Sequence, residues 1–408
     1  MNQVQRIIPY LVWAAVALLA LSGCGGGGSS SGVSGGSQVT TTLTGVAAKG
    51  LIKGGTVRVY SIPATGDISQ RQQLVPAVTT DPVTGSYSVN IGNYTGLILL
   101  EASGSYTDET DGLVKVLSIP LRASLVIGSQ GGTVSAAITP FTEIALRVAL
   151  SLSNGNMGNT LTGSAINAAS DLVSDLFPFD ILADLPVEPL YTQMNAVSTP
   201  RQDYTLALAA FSKLATAPAT LNGVIEAYRT ELYNTKRLSL ATVNSFKDAL
   251  NSFLVDSQHN QTNTTTITQG LTKVGYYTTN LKVNITGSFA TTNLIRGIQF
   301  TLNLPTGMSV KTDATGIPLS GVIAASGVAA TGSYFEPSLY DAVANTLSMA
   351  LINSNGFGAG EFATIKIQTP PTSSPPSVNN FSVTNLKVVA QNGTDMTTVT
   401  GIILTIPL

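Results

Sequence analysis

Apolar and polar residues alternate along two stretches of the chain, and each stretch predicts a set of β-strands. In the first stretch, residues 39–139, Val57 and Val59 lie on one face of "TVRVYSI", and Tyr87 and Val89 lie on one face of "SYSVNIG". A period of two residues indicates strands with one buried face. Short strands of this kind, broken by Gly and Pro, favour an all-β sandwich over residues 39–139.

The second alternating stretch covers residues 276–408 and predicts another, longer β-sandwich. In "IRGIQFTLNLP" the polar residues Gln299, Thr301 and Asn303 point away from the apolar residues between them. The segment "NTLSMALINSNGFGAGEFATIKIQ" predicts two strands around a Gly-rich turn. The apolar residues expected to face the core are Ile298, Phe300, Leu302, Leu304, Leu347, Met349, Leu351, Ala363, Ile365 and Ile367.

Between the two sandwiches the apolar period changes to three and four residues, which predicts a helical region over residues 140–256. In "LSLATVNSFKDALNSFLV", for example, Val243 and Phe246 belong to one apolar face. The first helix is expected to begin at Pro140, because proline suits the first helical turn. Residues 257–275 are polar and rich in Thr and Asn, which indicates a linker or exposed loop.

The first 38 residues have the pattern of an export signal followed by a tether. A short polar start is followed by an apolar run from Ile7 to Leu21 and then by small residues. The run is shorter than the roughly 20 apolar residues that a spanning helix needs. We therefore interpret residues 1–23 as a signal peptide. Residues 24–38 are rich in Gly and Ser and are expected to form a flexible tether.

The tetrapeptide "LSGC", Leu21 to Cys24, resembles the lipobox of bacterial lipoprotein signals. The resemblance implies that the Cys24 sulfur receives a diacylglycerol, that the signal is removed, and that the new amino terminus is acylated with a palmitate-type chain. Two or three acyl chains hold a protein firmly on a bilayer. Gly25 stands where an aspartate would signal inner-membrane retention, so we expect an outer-membrane or cell-surface location. The alternative is an ordinary cleaved signal or anchor with an incidental cysteine.

The pieces "GTVRVYSI", "TDPVTGSYSV", "GSYTDETDG" and "ITPFTEIA" resemble, in this order, bacterial surface lipoproteins with a carboxypeptidase-regulatory-like, transthyretin-like domain. The resemblance implies a transthyretin-like β-sandwich over residues 39–139 that carries no peptidase site. In the same family a "TP-x-TE-x-A" segment leads into helices, and a segment like "LALAAFSKLA" follows. The helical region is therefore expected to pack on the sandwich.

The C-terminal segments "IRGIQFTLNLPTGMSV", "NTLSMALINSNGFGAGEFATIKIQ" and "FSVTNLKVVAQNGTD" resemble cohesins and related carbohydrate-binding sandwich modules. The resemblance implies a cohesin-like β-sandwich that binds its partner through a sheet face. Cohesins bind dockerins, whose calcium sits in the dockerin itself. The partner expected for residues 276–408 is therefore a dockerin-like or other surface protein, or a polysaccharide.

Composition and charge exclude several function classes. The chain has 20 Lys and Arg against 22 Asp and Glu, a formal net charge of −2, which provides no basic field for nucleic acid. Cys24 is the only cysteine, so a lipidated chain has no disulfide, thiolate metal site or cysteine nucleophile. We expect no cofactor.

The residues capable of site chemistry are few. His259 is the only histidine, and we expect it in a solvated loop without a triad or zinc site. The acidic loop Asp108–Asp111 leaves two alternatives, part of a calcium site or a solvated turn. Acidic residues that could form a glycosidase pair and aromatic residues that could stack on sugars are Glu336, Asp341, Glu361, Tyr334, Phe335 and Tyr340. Sandwich-loop acids and core-packing aromatics are common, so we assign no catalytic or metal residue.

These observations together predict a multidomain, mainly-β surface lipoprotein without catalytic activity. Cys24 is the lipidation site, and residues 276–408 are the expected binding module for protein scaffolding or adhesion. Two other functions stay open from sequence: a carbohydrate-binding surface lipoprotein, and a structural component of an envelope or export assembly.

Overall fold

In the computed structural model, residues 39–406 are described apart from residues 155–157, 217–219, 290–292 and 314. The expected signal peptide, its cysteine and the tether lie outside the described residues. Two hydrophobic cores organise the described part of the chain. We call them the N-terminal core, built from residues 43–277, and the C-terminal core, built from Leu281 and residues that follow it.

Residues 39–139 form strands in two main sheets and a hairpin, and both sheets contribute to the N-terminal core. Val57, Val59, Tyr87 and Val89 are all buried, in agreement with their alternation in the sequence. The strands are β1 (Thr41–Val46), β2 (Thr56–Ser61), β3 (Gln72–Gln73), β4 (Val78–Thr79), β5 (Ser86–Asn90), β6 (Gly96–Ser103), β7 (Ser105–Thr107), β8 (Val114–Val116), β9 (Leu121–Ile127) and β10 (Gly132–Ser135).

The order of these strands is β10–β1–β5 in one sheet and β3–β2–β6–β9 in the other, where β4 also pairs with β2. The β1 and β10 strands run parallel, whereas the other ladders are antiparallel. The β7 and β8 strands form a separate hairpin.

The helical region begins at Pro140, as the sequence predicts. Thr139 precedes it, and its backbone N–H donates to the Thr142 hydroxyl at 2.8 Å. The helices are α1 (Pro140–Asn154), α2 (Gly163–Leu176), α3 (Tyr191–Met194), α4 (Thr199–Leu214), α5 (Leu221–Thr235) and α6 (Leu240–Leu254).

Helices and sheets share the N-terminal core. The α1 and α2 helices both contact β9, and α4 is buried along its middle by α5 and α6. Aromatic rings fill the space between them, with Phe179 and Tyr204 stacked at 4.1 Å between ring centroids. None of the helices in the described part of the chain has the length and apolarity needed to span a bilayer.

Residues 257–275, expected as a linker, pack against the helices instead of extending into solvent. Leu271 and Val274 belong to the N-terminal core. The polar residues fold into turns, in which the Asn260 amide donates to the backbone oxygens of Leu254 and Thr264 at 2.8 Å each. Because these side chains satisfy the backbone locally, the segment can bury its few apolar residues.

The C-terminal strands form the second sandwich. A four-stranded sheet has the order β13–β17–β11–β19, and a five-stranded sheet has the order β14–β16–β12–β18 with β15 paired to β16. The strands are β11 (Tyr277–Gly287), β12 (Ile295–Asn303), β13 (Ile323–Ala325), β14 (Ser333–Phe335), β15 (Leu339–Asp341), β16 (Thr346–Phe357), β17 (Gly360–Thr369), β18 (Ser382–Ala390) and β19 (Val399–Thr405).

The inner face of the five-stranded sheet carries the apolar residues that the alternation predicts. Ile298, Phe300 and Leu302 on β12 lie opposite Leu351, Met349 and Leu347 on β16, and all six are buried. Ala363, Ile365 and Ile367 are buried on the facing sheet. The described chain is therefore mainly β with six helices, and its C-terminal part is a β-sandwich.

Candidate binding face of the C-terminal sandwich

The five-stranded sheet leaves its second face open to solvent, and we call this surface the outer face. Cross-strand register places its side chains in rows, because directly paired residues share a face of the sheet. The outer-face residues on β12 and β16 are Gly297, Gln299, Thr301, Asn303, Thr346, Ser348, Ala350 and Ile352. Their neighbours on the edge strands are Tyr334, Leu339, Asp341, Ser382, Thr384, Lys387 and Val389.

One row of the outer face is apolar, and we call Tyr334, Ile352, Gly297 and Val389 the apolar strip. Tyr334 pairs with Ile352, Ile352 pairs with Gly297, and Gly297 pairs with Val389. Tyr334 is 61% exposed and Ile352 is 49% exposed. A Cβ at Gly297 would lie 3.7 Å from the Val389 Cβ, so the glycine leaves a shallow notch in the strip.

Buried Asn353 fixes the edge strand that carries Tyr334. Its amide donates at 2.8 Å to the Thr331 carbonyl and to the Ser333 hydroxyl. Its side-chain oxygen accepts the backbone N–H of Asn355 at 2.8 Å and that of Gly356 at 2.6 Å. The first two hydrogen bonds hold the β14 segment against β16 and the other two shape β16 itself, so Tyr334 projects from a supported strand.

The rest of the outer face is polar but carries little charge. Asp341 on β15 and Lys387 on β18 lie at opposite edges of the sheet. The Lys387 ammonium lies 3.7 Å from the Asp395 carboxylate, and both side chains are exposed. The surface between them carries Thr, Ser, Asn and Gln, whose short side chains lose less entropy on binding than long charged ones.

The three aromatic candidates separate into one exposed ring and two packed ones. Phe335 and Tyr340 pack against the C-terminal core. The Tyr340 hydroxyl donates to the Asn345 side-chain oxygen at 2.8 Å, and burial raises the Tyr340 pKa. Tyr334 is thus the candidate that can stack on a ligand.

Glu361 lies on a different sheet from Glu336 and Asp341. Glu361 lies on β17 of the four-stranded sheet, where the Lys282 ammonium donates to it at 2.7 Å and lowers its pKa. Asp341 accepts the backbone N–H groups of Val343 and Ala344 in a turn. Glu336, between β14 and β15, belongs to the other sheet.

Two lysines form ion pairs with the carboxylates of the acidic loop Asp108–Asp111. The buried Lys49 ammonium lies 3.3 Å from Asp108 and 3.8 Å from Glu109. The Lys115 ammonium lies 3.2 Å from Asp108 and 2.8 Å from Asp111. Burial would raise the Asp108 pKa, but the Lys49 charge and the Thr110 hydrogen bonds lower it to about 2. The loop's carboxylates therefore have internal cationic partners.

His259 lies in a turn after α6, and its side chain is 22% exposed. Its Nδ1 lies 3.0 Å from the Asp256 carboxylate, which also accepts a hydrogen bond from Lys213 at 3.0 Å. Asp256 orders the turn by accepting the backbone N–H groups of Gln258 and His259.

A cavity of about 630 Å³ lies where α2 meets the C-terminal sandwich. Its lining includes Asp171, Asp184 and Lys311. Burial raises the pKa of both aspartates and lowers that of Lys311 to about 8. No group of three or more His, Cys, Asp or Glu side chains in the described ranges could hold a metal ion.

Sequence reasoning missed the buried Lys49 and the part-buried Lys311. Lys49 sits in the otherwise apolar segment "VAAKGLI", and a lone lysine there was an available signal, since a buried lysine needs a partner. Lys311 stands in the mixed segment "MSVKTDA", which gives no such signal. Cys24 lies outside the described residues.

No family model matches the sequence, and a search of curated proteins found no match. Among solved structures, the chain is similar to a non-cellulosomal cohesin from the hyperthermophilic archaeon Archaeoglobus fulgidus. The identity is 14%, the match covers 30% of this chain and 73% of that chain, and the TM-score is 0.22.

Proposed function

We propose that the chain is a lipid-anchored protein of the cell envelope, and that its C-terminal sandwich binds another protein without catalysing a reaction. The observation that carries this proposal is the apolar strip on the outer face. Aromatic and aliphatic side chains that are exposed on a rigid surface are the usual energetic centre of protein interfaces. Tyr334 and Ile352 provide such a pair.

The surroundings of the apolar strip support a protein partner. A polar rim around an apolar centre is the common arrangement in reversible interfaces. The outer face has Gln299, Thr301 and Ser348 beside the strip, each able to donate and accept hydrogen bonds. The sheet itself is held by two ladders along β12, so the face needs no folding step when it binds.

The test is crosslinking in intact cells with the full chain and two single variants. Ile352→Asp places a charge in the apolar strip, whereas Ile403→Asp places the same charge on β19 of the other sheet. Ile403 is a matched control because it is 53% exposed, close to Ile352. We expect Ile352→Asp to lose the partner that wild type and Ile403→Asp retain.

Recovery of the same partner by all three chains would refute the outer face as the binding surface. Point variants are preferable to a chain that ends near residue 270, because that truncation would also remove Leu271, Val274 and Tyr277 from the N-terminal core. Recovery of membrane neighbours independently of the outer face would support the structural-component alternative.

A carbohydrate-binding function is the second candidate, and exposed Tyr334 favours it. A ring that lies open on a sheet can stack on the apolar face of a sugar. Retention of the purified protein on a polysaccharide, lost in Tyr334→Ala and kept in Tyr340→Phe, would support this alternative over protein binding. Tyr340 is the control because it packs against the core.

The anchor is tested separately from the binding face. Incorporation of a labelled fatty acid is expected in the wild-type chain and absent in Cys24→Ala. Incorporation that persists in the variant would refute lipidation at Cys24.

A further inference from the structure

Lys49 is buried in the protein interior directly after β1. It is only 1% exposed, although lysine is rarely fully buried without a partner. Its ammonium lies 4.9 Å from the centroid of the Tyr106 ring. The side chain thus enters a site that excludes solvent between the β7–β8 hairpin and α4.

Two buried carboxyl groups and a hydroxyl surround the Lys49 nitrogen. The Asp108 Oδ2 atom lies 3.3 Å from Nζ, and the Glu109 Oε2 atom lies 3.8 Å from it. Nζ donates to the Ser212 hydroxyl, which in turn donates to Glu109 Oε2 at 2.5 Å. Lys49, Ser212 and Glu109 therefore form a continuous hydrogen-bonded path.

The two carboxyl groups differ in their surroundings. Asp108 is also paired with Lys115 on its solvent side, whereas Glu109 contacts Lys49 and Ser212 in the interior. Burial raises the pKa of Glu109, which favours its acid form. An acid and a base beside a reacting pair are what proton transfer requires.

We propose that Lys49 and Asp108 condense into an intramolecular amide, with Glu109 carrying the proton. Lys49 first passes one ammonium proton through Ser212 to Glu109, which takes up its acid form and leaves a neutral amine. The amine nitrogen then bonds to Asp108 Cγ, and Glu109 gives its proton to one Asp108 oxygen. Glu109 takes the second nitrogen proton by the same path and gives it to the same oxygen, which leaves as water, so Glu109 ends unchanged. No oxidant, cofactor or co-reactant is consumed.

The contact between the two groups and the exclusion of solvent from the site both favour this condensation. Groups held in contact in a fixed orientation react far faster than free ones, and the Lys49 nitrogen lies 3.3 Å from a carboxylate oxygen of Asp108. The site excludes the water that would hydrolyse the product. With Cys24 as its only cysteine, the chain has no disulfide to serve as a covalent tie, and the amide would supply one between residues 49 and 108.

The test is peptide mass analysis of the purified full chain after denaturation and digestion with trypsin. We expect one species in which the peptide spanning Lys49, uncut after that residue, is joined to Gln72–Lys115. Its mass is that of the two peptides less one water, and fragmentation places the bond at Asp108. Cleavage after Lys49 with an unmodified Gln72–Lys115 peptide would overturn the proposal, as would a bond at Glu109.

Variants identify the proton carrier. Glu109→Gln keeps the shape of the side chain but cannot carry the proton, so we expect the linked species to fall at least tenfold in this variant. Asp108→Asn should still react, with loss of ammonia, and give the same linked product as wild type. Near-UV circular dichroism verifies that each variant is folded. A folded Glu109→Gln chain that forms the amide in full yield would refute the role of Glu109.

Lys53 and Glu188 form an internal control in every sample. Their charged atoms lie 2.7 Å apart, closer than Lys49 and Asp108, but both side chains are about one-third exposed. We expect trypsin to cleave after Lys53 and to find no amide there. An equal yield of amide at both pairs would show that sample handling forms the bond, and it would overturn the proposal.

Discussion

Glu143 illustrates how one side chain joins the sheets to the helices. It is fully buried in the first turn of α1. Arg122 of β9 donates two hydrogen bonds to its carboxylate at 2.7 and 3.0 Å, and Arg147 donates a third at 2.8 Å. The "TPFTE" segment thus places an acid where two arginines need one.

The substitution Glu143→Gln is expected to destabilise the fold by roughly 3 kcal/mol, because it removes the buried carboxylate between Arg122 and Arg147 and leaves Arg147 with only the Glu226 carboxylate, at 3.4 Å. Denaturant unfolding measures the change. Glu188→Gln is the control, since its pair with Lys53 is partly exposed and such pairs contribute about 0–1 kcal/mol. Equal losses of unfolding free energy in the two variants would contradict the role assigned to Glu143.

Asp203 on α4 gives a pH-dependent prediction. It is buried, and the Thr268 hydroxyl donates to it at 2.6 Å. Burial raises its pKa from 3.8 to about 6. The folded state therefore binds more protons than the unfolded state between these values, and stability falls as pH rises through that window.

Asp203→Asn removes the ionisable carboxyl group and with it the fall in stability as pH rises. The variant is therefore expected to be more stable than wild type above pH 6, by up to about 3 kcal/mol. The difference should disappear by about pH 3, where the wild-type carboxyl is mostly protonated in both states. Thermal unfolding at several pH values measures it. Exposed Asp248→Asn is the control, and a pH-independent gain in Asp203→Asn would contradict a titration effect.

The roles of Glu143 and Asp203 could not be predicted from the sequence pattern. Periodicity identified the faces of "TVRVYSI" and "IRGIQFTLN", because those positions repeat within one element. Lys49 meets Asp108 and Ser212 only through the fold, across 59 and 163 residues of chain. Long-range polar contacts leave no local period, so Lys49, Asp203 and Lys311 could not be assigned.

At the scale of elements, Gly275 directs the chain from the helices into β11. Its φ is +82°, and its N–H donates to the Leu176 carbonyl at 2.9 Å. A Cβ added here would lie 2.3 Å from a Val243 methyl carbon. The position therefore requires glycine for conformation and for space.

Gly275→Ala is expected to destabilise the protein by roughly 2 kcal/mol or more, since overpacking adds about 1–3 kcal/mol to the conformational cost. Gly393→Ala is the matched control. Gly393 has a φ of +81°, but a Cβ there would meet nothing within 4 Å. Denaturant midpoints should fall clearly further for Gly275→Ala, and equal falls would exclude the contact with Val243 as a cause.

Element boundaries followed from the sequence where a capping residue or proline marks them. Ser239 caps α6 through the Thr242 N–H, and Pro140 begins α1. Residues 257–275 were misjudged because their many Thr and Asn residues resemble a linker, whereas Leu271 and Val274 are buried. Ile267, Leu271 and Val274 are spaced by four and three residues, but three apolar positions in so polar a segment are too few to establish a period.

At the scale of the whole molecule, the two cores meet through a small set of polar contacts. Lys311, between β12 and β13, donates to the Ser174 carbonyl and, at 3.0 Å, to the Phe177 carbonyl at the end of α2. Its ammonium also lies 3.7 Å from Asp175. A cation at a helix C-terminus pairs with carbonyls that have no partner within the helix.

Lys311→Met is expected to uncouple the unfolding of the two cores. In differential scanning calorimetry wild type should give one transition, and the variant should give two, because the α2 carbonyls lose their donor. Lys387→Met, which changes an exposed lysine on the outer face, should behave like wild type. Two transitions in wild type would show that this junction does not couple the cores.

The sequence predicted the C-terminal sandwich and its buried residues but not how the modules join. Tyr277, the first residue of β11, belongs to the N-terminal core, and Leu281 on the same strand belongs to the C-terminal core. One strand thus continues through both cores. The outer face was predictable as polar alternation, but the apolar strip arises from register between four strands.

The near-neutral outer face has a consequence for how its partner is found. Charged interfaces speed encounter by long-range attraction, which dissolved salt screens over about 10 Å at 0.1 M. The outer face carries few charges, with Glu336 and Asp341 at one edge and Lys387 at the other, so it has little such attraction to lose. Association with a partner at this face should run near the unsteered rate of about 10⁵–10⁶ M⁻¹ s⁻¹ and vary little with ionic strength.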